Sequence, residues 1–205
     1  MNRLCITLDD VIRAKTQQFG KIYKKYVDKD RDLDAIEIKS NDLAEAFGFT
    51  HEEYMKFLYN DYAFEVFAEA PVVEKMIDKK LNLWHIALNN DREEDDKIEL
   101  ILANPYEFNA SIGFTHFFLS QIATRVRETY FPANSLEIWD KCNALVTADP
   151  KLLKNKPEGK ISVKITTDYN KDCDAEYTYG CLREFLEDEE IIGKIFPVKE
   201  HEQEA

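Results

Sequence analysis

A chain of 205 residues is one domain-sized core plus about a third of another, which leaves room for a single core carrying an insertion or a tail. Forty Asp and Glu against 27 Lys and Arg give a net charge of −13, and an anionic surface repels phosphate backbones, so generic nucleic-acid binding is disfavoured. Hydrophobic residues at 44% and aromatics at 12% supply a core and exclude wholesale disorder. The four cysteines, Cys5, Cys142, Cys173 and Cys181, lack CxxC spacing and point to a reduced setting rather than a disulfide scaffold. No apolar run is long enough to span a membrane and no signal-peptide core opens the chain, so a protein soluble and intracellular at birth is expected.

In chain order, residues 3–8 (RLCITL) predict a strand buried on both faces, stopped by Asp9-Asp10. Val11, Ile12, Phe19, Ile22, Tyr23 and Tyr26 follow at helical spacing, ending near the charged stretch Asp28–Asp32. Asp42 with Glu45, and Thr50 with Glu53, have capping-box spacing for two short helices, with Gly48 as the C-cap between them. The aromatics Tyr54, Phe57, Tyr59, Tyr62, Phe64 and Phe67 belong to this segment, and they favour its own small core over a partner surface. A helix is expected from Pro71 to about Asn90, then an acidic loop at 91–96, a second strand at 97–103 and a helix at about 108–127. Shorter strands are expected at 128–131, 143–148 and 161–166, with Ser135 capping a helix to Cys142 and a last helix from Tyr179 to Ile195. Strands alternating with helices predict an α/β fold, a doubly wound parallel sheet of about five strands. The expected organisation is an α/β core at 1–27 and 71–198, a helical insertion at 28–70 and a charged tail at 199–205.

Ligands of open parallel sheets collect at the carboxyl ends of the strands, which puts weight on Thr7 to Asp10, on Ala103-Asn104 and on Thr147 to Asp149. The segment Ile6-Thr7-Leu8-Asp9-Asp10-Val11-Ile12 resembles the first motif of the haloacid dehalogenase-like (HAD) phosphohydrolases, an apolar strand followed by Asp-x-Asp. The order of later features agrees: a cap-like insertion, a second strand ending at Asn104, Lys141 before the fourth strand and Asp149 after it. The small nucleotidase-like members are the most similar, and the resemblance covers most of residues 1–170.

By that resemblance the nucleophile and Mg²⁺ ligand should stand at Thr7, the phosphate-binding Ser or Thr at Ala103 or Asn104, and the first of a pair of acidic residues at Ala148. A Thr hydroxyl is a poor nucleophile without an adjacent base and offers a hard cation no charge. Asp9 matches the family's general acid/base, Lys141 its phosphate-charge stabiliser, and Asp149 is the one side-chain metal ligand left. Losing the nucleophile of a covalent mechanism removes several orders of magnitude in rate. The expected function is therefore a non-catalytic structural or interaction protein on a degenerate HAD-like scaffold, with no cofactor. Its partners would be other protein subunits in a homo- or hetero-oligomeric assembly, with no membrane. Compact, Lys- and Asn-rich chains of this type look like bacteriophage products, implying a virion component such as a tail or neck ring, or otherwise a cytoplasmic protein. The alternative is a Mg²⁺-dependent 5′-nucleotidase or small-molecule phosphatase with an atypical site. Plainer roles stand beside these: Asp9 and Asp10 as helix caps, Lys141 as a last-turn lysine, Asp149-Pro150 as a turn, and the histidines as structural residues.

Overall fold

Period-two alternation along the central strands decides the layering, because successive side chains of a strand point to opposite faces. A computed structural model describes residues 2–40, 42–90 and 92–197, so the expected tail at 199–205 lies outside the described residues. The strands are β1 (Asn2–Thr7), β2 (Ile98–Ala103), β3 (Glu128–Tyr130), β4 (Ala144–Thr147), β5 (Ile161–Ile165) and β6 (Tyr177–Tyr179). They form one sheet, every pair parallel, in the order β3-β2-β1-β4-β5-β6. This is the expected α/β doubly wound parallel sheet, with six strands instead of about five.

Leu4 and Ile6 of β1, Leu100 and Leu102 of β2, Val146 of β4 and Val163 of β5 share one face. They pack with Ile77 and Leu81 of α5 (Ile77–Ala87), Phe118 of α6 (Ala110–Gln121) and Phe185 of α9 (Leu182–Glu187). Cys5, Ile101, Ala103 and Leu145 occupy the other face, against Ile138 and Trp139 of α7 (Ile138–Lys141) and Leu152 of α8 (Pro150–Lys154). The Trp139 indole N–H donates to the Leu152 carbonyl at 3.3 Å, so its one polar group is satisfied inside the core.

A second cluster lies between α1 (Lys15–Tyr26) and the segment 43–67, which contains α2 (Ala44–Phe47), α3 (His51–Lys56), a π-helical turn at Phe57–Asp61 and α4 (Ala63–Phe67). Thr50 and Glu53 form the reciprocal capping box that opens α3. Gly48 ends α2 at φ 73°, a left-handed conformation that glycine adopts without a Cβ clash. Phe19 is fully buried, with Phe47 and Phe57 ring centroids at 4.9 and 5.1 Å. Tyr54, Phe57 and Phe67 are buried beside it, so most of the predicted aromatics form a core, while Phe64 is left 39% exposed.

Several expected elements are corrected. Val11 and Ile12 are not helical: the Leu8 carbonyl accepts from the N–H groups of Val11, Ile12 and Arg13, winding a tight turn, and α1 begins only at Lys15. The helix expected from Pro71 starts at Ile77, because Ala14 N–H donates to the Pro71 carbonyl and Val73 N–H to the Ile12 carbonyl, tying 71–73 to this turn. The helix expected at 179–195 is three elements: β6, α9 and α10 (Ile191–Ile195). β6 was missed because Tyr177–Tyr179 is a short edge strand, half-exposed and without a continuous apolar run. Asn134, not Ser135, caps the turn before α7, accepting from Leu136 N–H at 3.1 Å. Among the described residues no helix is long and apolar enough to cross a membrane.

Phe19→Ala is expected to lower the free energy of unfolding by about 3–5 kcal/mol in chemical denaturation; a loss under about 1 kcal/mol would mean that the aromatic cluster repacks.

Candidate functional site

The sheet order reverses across β1, with β2 on one side and β4 on the other, and the carboxyl ends of these strands meet at this switch point. Thr7 ends β1, 3% exposed, and its hydroxyl donates to Thr147 Oγ1 at 3.1 Å. Asn104 follows β2, fully buried, its N–H on the Tyr130 carbonyl at 3.0 Å and its side-chain amide on Glu107 Oε1 at 2.5 Å. Asp149 follows β4; one oxygen accepts from the Tyr106 hydroxyl at 2.6 Å and the other from Lys151 N–H at 2.8 Å, capping α8. Asp9 stands in the turn after β1.

The turn between β1 and α1 folds the next cation back onto Asp9. Arg13 is fully buried, and all five of its N–H donors have acceptors. Nε donates to Asp9 Oδ1 at 2.9 Å. One terminal nitrogen donates to the Phe67 carbonyl at 3.1 Å and to Thr115 Oγ1, the other to Asp9 Oδ1 and to Glu107 Oε1. The guanidinium also lies over the Phe67 and Phe118 rings, 5.1 and 5.5 Å from their centroids. Lys15 adds a second cation, its Nζ 3.1 Å from Asp9 Oδ2, at 2% exposure. Burial works to raise the Asp9 carboxyl, but Arg13 and Lys15 outweigh it and hold Asp9 below the ordinary carboxylate value. Glu107 is raised, because burial outweighs Arg13 there. Asp149 is raised by burial, partly offset by the Tyr106 hydroxyl and the backbone N–H groups of α8.

The opening left between Thr7, Asp9, Asn104, Asp149, Tyr106 and Tyr169 is a cavity of about 10 Å³. A space of that size holds one water. Asp10 turns away from it at φ 58°, accepting from Thr16 N–H at 3.0 Å and from the Tyr169 hydroxyl at 2.8 Å, so it serves as a cap for α1.

Of the predicted site residues, Thr7, Asp9, Asn104 and Asp149 converge on this cavity. Lys141 does not: it is exposed on α7, with its ammonium over the Tyr130 ring at 5.4 Å from the centroid. The cations that reach Asp9 are Arg13 and Lys15. Sequence reasoning missed these two, together with Glu107 and Tyr106. Arg13 lies four residues after Asp9, a spacing that signals an ion pair only if 9–13 is helical, and it is a turn. His51 lies on α3, His116 packs edge-on to Phe131, and burial lowers His85; among the described residues no group of three or more His, Cys, Asp and Glu is placed to hold a metal.

No protein-family model matches the sequence, and no curated protein does. Among solved structures the fold is similar to that of β-phosphoglucomutase from Clostridium difficile, with a TM-score of 0.59 at 13% identity, over 96% of this chain and 97% of that one. That likeness shows the HAD-like fold over almost the whole length.

Removing one member of a buried ionic network strands the others. Arg13→Met should therefore destabilise by about 3–5 kcal/mol at neutral pH, measured by denaturant unfolding. Arg13 favours the ionised form of Asp9, so its contribution is complete above the ordinary carboxylate range and is lost as pH falls through the lowered pKa of Asp9. The gap between wild type and Arg13→Met should narrow on acidification; a gap that widens would contradict the assignment.

Proposed function

We propose that this chain is a non-catalytic interaction protein on a HAD-like scaffold. The observation that carries the reading is Arg13, which with Asp9 and Glu107 packs the end of the sheet and leaves a cavity of about 10 Å³ where a substrate would need to enter. A space that takes about one water is too small for a phosphoryl group with its three equatorial oxygens. Thr7 stands where the HAD resemblance expects a carboxylate nucleophile, and its hydroxyl neighbour is Thr147, which is no base. Asp9, the expected general acid/base, is held as a carboxylate by two cations and has no proton to donate at neutral pH.

The residues present do not suit Mg²⁺. That ion takes six oxygens in near-ideal octahedral geometry and favours carboxylates. Here Asp9 is committed to Arg13 and Lys15, and the Asp149 oxygens to Tyr106 and Lys151, so each would have to give up its partners. Support for binding other proteins comes from the surface: Leu83 is 69% exposed and Ile86 49% on α5, and Phe117 44% on α6. Assembly with other subunits, and a place in a virion as the sequence resemblance implies, is the finer part of this reading.

With Mg²⁺ and millimolar 4-nitrophenyl phosphate or a nucleoside monophosphate, release of phosphate should equal that of buffer and be indifferent to Asp9→Asn. Native mass measurement on complexes from the source should find the chain in an assembly. Mg²⁺-dependent release that Asp9→Asn abolishes would establish the atypical phosphatase instead, and a free monomer in the source would remove the assembly role.

A further inference from the structure

The outward residues of α6 are Gly113, His116, Phe117 and Ser120, spaced i, i+3, i+4 and i+7, so they form one stripe along the helix. Phe64 of α4 lies beside it, with ring centroids 5.4 Å from Phe114 and 5.7 Å from Phe117. At its C-terminal end α6 meets α5: the Asn82 amide donates to the Ala123 carbonyl at 3.0 Å, and its oxygen accepts from Arg125 N–H at 2.7 Å. α5 and α6 cover the same face of the sheet, and α5 presents Leu83, Ile86 and Ala87 to solvent at i, i+3 and i+4.

Charge is missing from this face. The chain is 33% charged, yet no Asp, Glu, Lys or Arg occurs in α6, or in α5 beyond Lys80. Exposed helix positions are the ordinary place for such residues. Here they hold Phe64, Phe117, Leu83 and Ile86, an exposed apolar grouping of the kind that marks an interface.

The absence of charge also selects the partner. An acidic chain that recruits a basic protein meets it through carboxylates, because complementary potentials steer and select the encounter. A face stripped of charge gives up that attraction and suits a partner of like sign, and a second copy carries the same −13. In a two-fold contact each patch meets itself, so a charge near the axis would meet its own copy; this stripe brings none. Its relief is self-complementary too. A Cβ on Gly113 would meet nothing within 4 Å, so a hollow lies one turn from the Phe117 ring. A two-fold axis midway between them sets each Phe117 over the other copy's Gly113. We propose that this chain forms a two-fold homodimer through the uncharged outer face of α6, with the apolar residues of α4 and α5 beside it and Phe117 of each copy seated at Gly113 of the other. The proposal rests on the interaction reading and names its partner.

Sedimentation equilibrium of the purified full chain tests it. The wild type should dimerise with a Kd below about 10 μM. Phe117→Glu and Gly113→Lys each alter an exposed position and should each weaken the dimer at least about tenfold, with the far-UV circular dichroism spectrum unchanged. Mixing the two variants should restore dimers: in the mixed pair one Phe117–Gly113 contact is native and, in the other, the introduced carboxylate meets the introduced ammonium. A wild type still monomeric at about 100 μM, association that continues past the dimer, a dimer indifferent to both substitutions, or no recovery on mixing would overturn the proposal. A pure chain that is monomeric yet found with other proteins in complexes from its source would overturn it and leave the interaction reading in place. Phosphate release by the dimer would overturn the non-catalytic reading and leave the dimer standing.

Discussion

One guanidinium organises the centre of this molecule. Arg13 has no exposed surface, five N–H donors and five matched hydrogen bonds, and its acceptors come from three parts of the chain. Asp9 belongs to the turn after β1, Phe67 to the end of the helical insertion, and Glu107 with Thr115 to the segment after β2. A buried cation is tolerated only when paired and hydrogen-bonded, and that condition draws these segments to one point. The turn Leu8–Arg13, the placement of α4 against α6, and the closure of the strand ends all meet that requirement.

The same interaction separates scaffold from chemistry. A doubly wound sheet presents its strand ends as a natural crevice, and this chain keeps the sheet and fills the crevice with its own charges. Asp9 is ionised because two cations surround it, and Asp149 is engaged by a tyrosine and a helix N-terminus. Carboxylates that are already satisfied by the protein are poor at meeting a metal or a substrate. A larger space lies beside the crevice, in an aromatic-walled cavity of about 570 Å³ under the insertion.

Much of the sheet was legible in the sequence, because β1, β2, β4 and β5 are apolar runs interrupted by turns, and strands buried on both faces read that way. The Thr50–Glu53 capping box and the Gly48 stop were legible because capping is local chemistry. β6 was hidden, since three half-exposed residues at an edge carry no hydrophobic signal. At the site, Thr7, Asp9, Asn104 and Asp149 were found from their position after strands. Arg13 and Glu107 were not, because their pairing spans 94 residues and depends on where the turn aims one side chain. Lys141 matched by order along the chain yet faces solvent, since a four-residue helix leaves its last turn outside the crevice.

The most direct measurement of the central claim is the NMR signal of the Arg13 side-chain Nε–Hε group, assigned by loss in Arg13→Met. If the guanidinium is locked between Asp9 and Glu107, that proton exchanges slowly with water and its shift stays fixed when Mg²⁺ and inorganic phosphate are added together. Rapid exchange, or a shift that saturates with Mg²⁺ and phosphate, would show that the strand-end site opens to ligands and would contradict the account.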